Sequence, residues 1–167
     1  HNKEEMAHDL ADLLEHGTSL DDRFRLLRHF RKREMVRICL RDLTRQGDLV
    51  ETTEDLSNLA DVCLIGAYEV GFQDLAGRYG RPMGVDDSGH PQPSEFAILG
   101  LGKLGGRELN FSSDIDLMFL YTCDGETSNS EGCEGRTTQR ITNYEFYTRL
   151  ARLILKAIHD ITADGNV

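Results

Sequence analysis

The sequence contains no tryptophan, only three prolines among 167 residues, and no run of apolar residues long enough to cross a membrane. A helix that spans a membrane needs roughly 18 or more such residues. The sequence also lacks the charged and then apolar leader that would indicate export. Hydrophobic residues make up 39% and charged residues 29% of the chain, as is typical of a soluble globular protein. We therefore expect a cytoplasmic protein with no membrane partner. Because the first residue is His1 and not Met, we also expect it to be a piece of a longer protein.

Positive charge is scarce. Lys and Arg total 19 against 29 Asp and Glu, so the net charge is −10. A chain this acidic repels a phosphate backbone, which argues against a nucleic-acid partner. Nine of the 19 basic residues nevertheless lie between Arg23 and Arg45. This stretch predicts a helix with solvated basic faces, or else a contact surface for an acidic partner.

Cysteine pairs are also missing. Cys39, Cys63, Cys123 and Cys133 form no C-x-x-C motif, and no histidine stands near the last two at zinc-site spacing. We expect reduced thiols.

The first 80 residues predict a helical lobe. Helical patterns run over residues 3–16, from Leu20 to about Arg45, and from near Thr53 to the glycines at 77 and 80. All three prolines then fall within "RPMGVDDSGHPQP", which predicts a linker or surface loop over residues 81–95.

The remaining part, residues 96–167, predicts a small mixed domain. "FAILGLG" is typical of a buried strand and "DIDLMFLY" of a second one. The polar stretch over 122–140 predicts a long loop, and a capping box at Thr142 and Glu145 begins a last helix that closes at Gly165. The predicted fold class is therefore α+β.

Two carboxylates stand at the head of the second strand. Residues two apart on a strand point the same way, so Asp114 and Asp116 share a face. Their repulsion must be relieved by a shared proton, by cationic partners or by bound metal. Two converging carboxylates suit a pair of Mg²⁺ ions roughly 3.5–4 Å apart, as used in phosphoryl displacement. The alternative is that both face water at the edge of the sheet.

The glycines just before these aspartates favour a phosphate site. "GLGKLGG" leaves successive backbone N–H groups without side chains in front of them. Lys103 adds a positive charge, and Ser113 is a hydroxyl donor directly before Asp114. A glycine turn after one strand and D-x-D on the next would bring a phosphate cradle and metal ligands together.

Two other glycine motifs compete for the same residues. Gly100, Gly102 and Gly105 spell the dinucleotide-binding G-x-G-x-x-G, but only "RELNFSS" separates Gly106 from Asp114, which leaves little room for a crossover helix. The Walker P-loop does not fit, because its lysine position holds Gly106.

The whole tract resembles the polymerase-β-type nucleotidyltransferases, in which a Gly-Gly or Gly-Ser turn precedes D-x-D. More narrowly, "LGLGKLGGRELNFSSDIDLMFLY" is similar to the glutamine synthetase adenylyltransferase family, as are "LLRHFRKREMVRICLRDL" and "NYEFYTRLARLILKAIHDITADGNV". The resemblance implies a helical lobe followed by part of a polymerase-β-like α/β sheet. "ELNFSSDIDL" and the helix from Phe146 to Leu150 look more like the N-terminal, deadenylylating half of that bifunctional enzyme.

The resemblance also implies roles for individual residues. Asp114 and Asp116 would be the catalytic carboxylates that bind two Mg²⁺ ions. The nucleotide phosphates would contact Gly105, Gly106, Ser113 and Lys103. A third carboxylate would lie on a strand after Val167, so this piece would be truncated before it and possess two of three metal ligands.

The implied chemistry is metal-dependent adenylyl transfer. AMP on a tyrosine of glutamine synthetase would be removed by phosphate to yield ADP, or attached from ATP in the other half. Glutamine synthetase and a nitrogen-signalling regulatory protein would be partners. A non-catalytic regulatory module and a nicotinamide-cofactor enzyme remain as alternatives, distinguished by metal-dependent nucleotide binding and by stabilisation with NAD without metal.

Overall fold

The computed structural model describes residues 2–128 and 139–159, which form an α+β structure as predicted. Three long helices come first, the strands follow, and another helix closes the described part. The elements are α1 (Lys3–Glu15), α2 (Leu20–Leu43), α3 (Leu49–Tyr79), β1 (Arg81–Val85), β2 (Pro91–Pro93), β3 (Phe96–Leu101), α4 (Gly102–Gly105), β4 (Asp116–Tyr121), β5 (Glu126–Ser128) and α5 (Asn143–His159).

The predicted helices are confirmed, with one boundary displaced. Helix α3 begins at Leu49, earlier than the prediction near Thr53, because Asp48 and Glu51 form a capping box that satisfies the first backbone N–H groups. It continues through Gly77 and ends at Gly80, whose φ of 85° favours glycine. Thr142 caps α5 by accepting a 3.1 Å hydrogen bond from the backbone N–H of Glu145, which is one of the two hydrogen bonds of the predicted capping box.

Intramolecular pairing accounts for most of the basic stretch on α2. Arg37 Nε donates to Glu34 at 2.6 Å, and Arg41 Nη1 donates to Asp55 at 2.6 Å. Four further arginines also bind acceptors within the chain: Arg23, Arg25, Arg31 and Arg33. The structure therefore uses these charges to hold helices, which leaves few for an acidic partner.

The proline-rich segment contains two strands, contrary to the linker or surface loop predicted there. β1 pairs antiparallel with β2 on one side and with β5 on the other. Pro91 and Pro93 lie on β2, at the edge of this sheet, where a missing N–H costs no ladder hydrogen bond. The predicted loop over 122–140 likewise contains β5, and its residues 129–138 lie outside the described part.

Strands β3 and β4 form a second antiparallel sheet, in register from Phe96 opposite Tyr121 to Leu101 opposite Asp116. The expectation that β3 is a buried strand is wrong for one of its two faces. Alternate side chains of both strands point to solvent: Leu99 on β3 is 44% exposed and Leu120 on β4 is 46% exposed. The opposite face packs on the helices.

An aromatic cluster joins that inner face to the helical lobe. The ring of Phe96 stacks on Tyr68 of α3, Tyr147 of α5 and Phe119 of β4, with centroids 5.0–5.9 Å apart. The Tyr147 hydroxyl donates to Ser94 O at 2.6 Å. One buried cluster therefore extends from α1 to α5. The division into 1–80, 81–95 and 96–167 stays a prediction, and the end of its last range lies outside the described residues.

No helix in residues 2–128 and 139–159 is long and apolar enough to span a bilayer. The predicted strand after Val167, Cys133 and the helix end at Gly165 also lie outside the described residues.

Candidate active site

Residues 102–115, here called the connecting loop, join β3 to β4 and hold most of the predicted site. The loop opens with the single turn α4 and continues through Gly106 to Asn110 and Ser113. The side chains of Leu104 and Leu109 are buried, whereas most other residues of the loop are exposed. Two leucines therefore hold the loop to the body of the protein while its glycines remain accessible.

The two carboxylates share one face, as D-x-D spacing predicts, and this face is the exposed side of the sheet. β4 begins at Asp116, and the alternation of exposed and partly buried residues continues back to Asp114. Ile115 and Leu117, on the inner side, pack against the core. Since the side chains alternate along extended backbone, Asp114 and Asp116 share the solvent side.

Neither carboxylate has a cationic side chain or a hydrogen-bond donor as a partner in the described part of the chain. Their repulsion is thus not relieved by an ion pair there. Carboxylate oxygens are the ligands that Mg²⁺ prefers, so this unpaired donor pair fits a divalent cation. No group of three metal-ligating side chains occurs among the described residues. The third carboxylate was predicted beyond them.

The connecting loop starts directly beside Asp116. A Cβ atom built on Gly102 would lie 3.3 Å from Asp116 Oδ2, and its φ of +56° also favours glycine. The start of the glycine turn and one carboxylate therefore meet, which is the juxtaposition that the two motifs together predict.

Gly105 and Gly106 differ in their surroundings. A Cβ on Gly105 would lie 2.7 Å from Gly100 O, so this glycine permits close packing of the loop on β3. A Cβ on Gly106 would meet its nearest neighbour at an ordinary 3.6 Å. Packing within the protein explains Gly105 but leaves Gly106 free for contact with a ligand.

The hydroxyl of Ser113 braces the loop. It donates to the side-chain Oδ1 of Asn110 at 2.8 Å and accepts a hydrogen bond from the backbone N–H of Asn110 at 3.0 Å. Its proton is therefore already used, and a phosphate contact would have to displace Asn110. Lys103 is exposed and has no ion pair within the described residues.

The dinucleotide-binding alternative is wrong. That fingerprint requires a long crossover helix between parallel strands, but β3 and β4 are antiparallel and only α4, a single turn, lies between them. Gly100, Gly102 and Gly105 instead form a tight turn against β3.

Sequence reasoning missed Arg107, which follows the glycines with a φ of +58°. Its guanidinium donates to Asn58 Oδ1 on α3, and Nη1 lies 3.4 Å from Asp61 Oδ2. These partners are 46–49 residues away in sequence, so no local pattern indicates the contact.

Comparison with known proteins identifies the family. The family model described as glutamate-ammonia ligase adenylyltransferase matches residues 1–167. Relatives named bifunctional glutamine synthetase adenylyltransferase/adenylyl-removing enzyme are 42% identical over 163 residues in Pseudomonas syringae pv. tomato and 42% identical over 167 residues in Pseudomonas aeruginosa. A third, from Alteromonas mediterranea, is 44% identical over 147 residues.

These alignments cover 98%, 100% and 88% of this chain, but only 16%, 16% and 14% of the relatives. The chain thus spans about one sixth of the length of the curated relatives that it matches.

Proposed function

Because this chain belongs to the glutamate-ammonia ligase adenylyltransferase family, we propose that it is a nucleotidyltransferase region of a bifunctional enzyme that acts on glutamine synthetase. Within that enzyme we assign it to the part that removes AMP from tyrosine by phosphorolysis, which yields ADP. The observation that carries the proposal is that the glycine turn starts, at Gly102, beside Asp116, which shares the exposed side of the sheet with a second unpaired carboxylate, Asp114.

Asp114 and Asp116 are the residues that would hold Mg²⁺. Their oxygens are accessible and carry no competing ion pair in the described part of the chain. When bound, the metal supplies neutralisation of the negative charge that develops on the transferred phosphoryl group.

The connecting loop binds and orients the nucleotide. Gly105 and Gly106 present backbone without side chains, so phosphate oxygens approach the chain closely. Lys103 adds a positive charge without an internal partner in the described residues. Ser113, held by Asn110, fixes the end of the loop that leads into Asp114.

The reaction needs no covalent enzyme intermediate. An oxygen of hydrogen phosphate attacks the phosphorus of the adenylylated tyrosine, and the bond from phosphorus to the tyrosine oxygen breaks. ADP forms, and the released tyrosine oxygen takes up the proton that phosphate loses, which regenerates the free tyrosine hydroxyl. Phosphate is already anionic at neutral pH, so the chain does not have to activate it with a general base. Its contribution is positioning and electrostatic stabilisation.

The choice of half rests on the similarity of "ELNFSSDIDL" and of the start of α5 to the deadenylylating half. The experiment uses a longer polypeptide of the family that contains these 167 residues. It is incubated with adenylylated glutamine synthetase, Mg²⁺ and phosphate, and ADP is measured. ADP release supports deadenylylation, whereas transfer of AMP from ATP to unmodified glutamine synthetase, without ADP release, assigns the chain to the adenylylating half.

Asp114→Asn and Asp116→Asn test the carboxylates in that polypeptide. Each variant keeps the size of the side chain and removes its charge, so the fold should be retained while turnover falls by at least on the order of a hundredfold, as removal of one electrostatic contributor does elsewhere. Asp124→Asn is a matched control, because Asp124 accepts a hydrogen bond from Tyr121 beyond the end of β4. Full activity in either Asp114→Asn or Asp116→Asn would remove that residue from the mechanism.

A further inference from the structure

We propose that Arg107 is a positioning residue of this site, which ties the connecting loop to helix α3 and so holds the glycine turn beside Asp116. The inference rests on the nucleotide-binding function proposed above and extends it, because it assigns a role to a residue that touches neither nucleotide nor metal. It also makes α3 part of the machinery that sets the geometry of the phosphate site.

The guanidinium meets a row of acceptors on one face of α3. Nη2 donates to Asn58 Oδ1 and lies 4.0 Å from Glu54 Oε1, and Nη1 lies 3.4 Å from Asp61 Oδ2. Residues 54, 58 and 61 follow one another at helical spacing and thus share a face. Asn58 is buried. The planar fork of an arginine holds two such acceptors in a fixed geometry, whereas a lysine offers a single ammonium on a flexible stem.

No other polar side chain of the connecting loop reaches beyond the loop within the described part of the chain. The hydrogen bonds of Asn110, Ser112 and Ser113 all remain inside it. Apart from the apolar side chains of Leu104, Leu109 and Ile115, which pack on the core, the orientation of the loop over α3 therefore depends on Arg107.

The backbone at Arg107 is strained in a way that its side-chain contacts explain. Its φ of +58° lies in the left-handed region, which favours glycine, asparagine or aspartate over arginine. The backbone N–H of Arg107 donates a hydrogen bond to Leu104 O at 3.1 Å, which closes the glycine turn. Residues held in such conformations cluster at ligand sites, and here one residue closes the turn and anchors it.

The test uses the longer polypeptide that contains these 167 residues and compares five forms with its wild type: Arg107→Ala, Arg107→Lys, Asn58→Ala, the double variant Arg107→Ala/Asn58→Ala and the control Arg78→Ala. Arg78 pairs with Asp74 at 2.9 Å on the same helix and does not contact the loop. Two quantities are measured well below the Tm: the affinity for ADP in the presence of Mg²⁺, and amide hydrogen exchange in residues 102–108.

We expect Arg107→Ala to weaken ADP binding about tenfold or more and to speed exchange at the Gly106, Arg107 and Glu108 amides, whose hydrogen bonds lie within the turn. Arg107→Lys should restore part of the affinity. Asn58→Ala should give a smaller loss that disappears when Arg107→Ala is already present. Arg78→Ala should change neither quantity, whatever its effect on Tm.

The outcomes separate this proposal from the one on which it rests. If the wild type binds ADP with Mg²⁺ and Arg107→Ala binds it equally well, the positioning role is overturned and the nucleotide site stands. If the wild type binds no ADP, the proposed function and the role in nucleotide binding both fail. Faster loop exchange in Arg107→Ala would then support the anchor alone, and unchanged exchange would overturn that too.

Discussion

Gly105 and Gly106 are adjacent in the chain, yet the structure gives them different tasks. Gly105 packs against the backbone of β3, whereas Gly106 has room for a methyl group. Because only one of them is required by the fold, the pair separates stability from ligand binding.

We expect Gly105→Ala to destabilise the chain by about 1–3 kcal/mol, the usual cost of overpacking, since the carbonyl of Gly100 cannot move like a flexible side chain. Gly106→Ala should leave the free energy of unfolding nearly unchanged but weaken Mg²⁺-dependent ADP binding. Urea unfolding and an ADP titration of both variants check this. Unaltered ADP affinity in Gly106→Ala would show that phosphates do not approach that residue.

Burial makes the stability of the protein depend on pH through Cys63. Burial raises the pKa of this thiol from 9.0 to about 12, while Glu34 also raises it and Arg31 opposes the shift. The unfolded chain therefore loses the thiol proton near pH 9, whereas the folded chain keeps it. The contribution to stability is complete below pH 9 and is lost as the pH rises towards 12.

Urea unfolding of the wild type and of Cys63→Ala at pH 8 and at pH 10.5 measures this contribution. The wild type should lose about 2 kcal/mol more than the variant between these two values, since 1.5 pH units above pH 9 correspond to this amount. Cys63→Ala creates a cavity, but only the difference in pH dependence enters the comparison. An equal loss of unfolding free energy between the two pH values in both proteins would contradict the shifted pKa of Cys63.

At the scale of the elements, helix α2 buries a carboxylate between two of its own arginines. Glu34 is 1% exposed and accepts from Arg33 Nε at 3.1 Å and Arg37 Nε at 2.6 Å. Both arginines reach solvent with part of their side chains, so the charges are buried only on the acidic side.

We expect Glu34→Ala to cost about 1–3 kcal/mol, because it removes charge-assisted hydrogen bonds and leaves a gap in the core. Arg25→Ala, which breaks the exposed pair with Asp22, should cost less than about 1 kcal/mol. Chemical denaturation of both variants checks the difference. Equal effects would mean that the burial of Glu34 does not decide its contribution.

The sheet of β3 and β4 has two unlike faces, and its stability should depend on only one of them. Phe119 stacks on Phe96 with centroids 5.7 Å apart, while the neighbouring Leu120 points to solvent. Phe119→Ala should cost about 3–5 kcal/mol and Leu120→Thr less than about 0.5 kcal/mol. Thermal unfolding of the two variants measures both, and a large loss from Leu120→Thr would show that the outer face is covered in solution.

At the scale of the whole molecule, the helical lobe and the β3–β4 sheet share a core. Phe96 contacts Tyr68 and Tyr147, which belong to helices on either side of it in sequence. A shared core predicts one cooperative transition, whereas two independent domains would give two. Calorimetry should therefore find a single Tm, and Phe96→Ala should lower it as a whole. Two separate transitions would support the boundaries drawn from the sequence.

Much of this architecture could be predicted because the signals are local. The starts of α1 and α2 and the strand "DIDLMFLY" depend on residues within a few positions of one another. The strands β1, β2 and β5 could not, because each is stabilised by pairing with a segment that is distant or rich in proline. The single buried face of β3 was missed for a related reason, since an apolar run does not say what covers it.

For the candidate site, too, the sequence determined some features and the tertiary structure determined others. The sequence alone determined that a glycine turn precedes D-x-D, since both motifs lie within one short stretch and alternation along a strand places both aspartates on one face. Only the tertiary structure decided that Gly102 lies beside Asp116, that the Ser113 hydroxyl is hydrogen-bonded to Asn110, and that Arg107 reaches Asn58 on α3. The contacts of Gly102 with Asp116 and of Arg107 with Asn58 depend on how the chain folds back on itself, and the contact of Ser113 with Asn110 depends on the turn that the loop adopts. The motifs in the sequence contain no information about these distances.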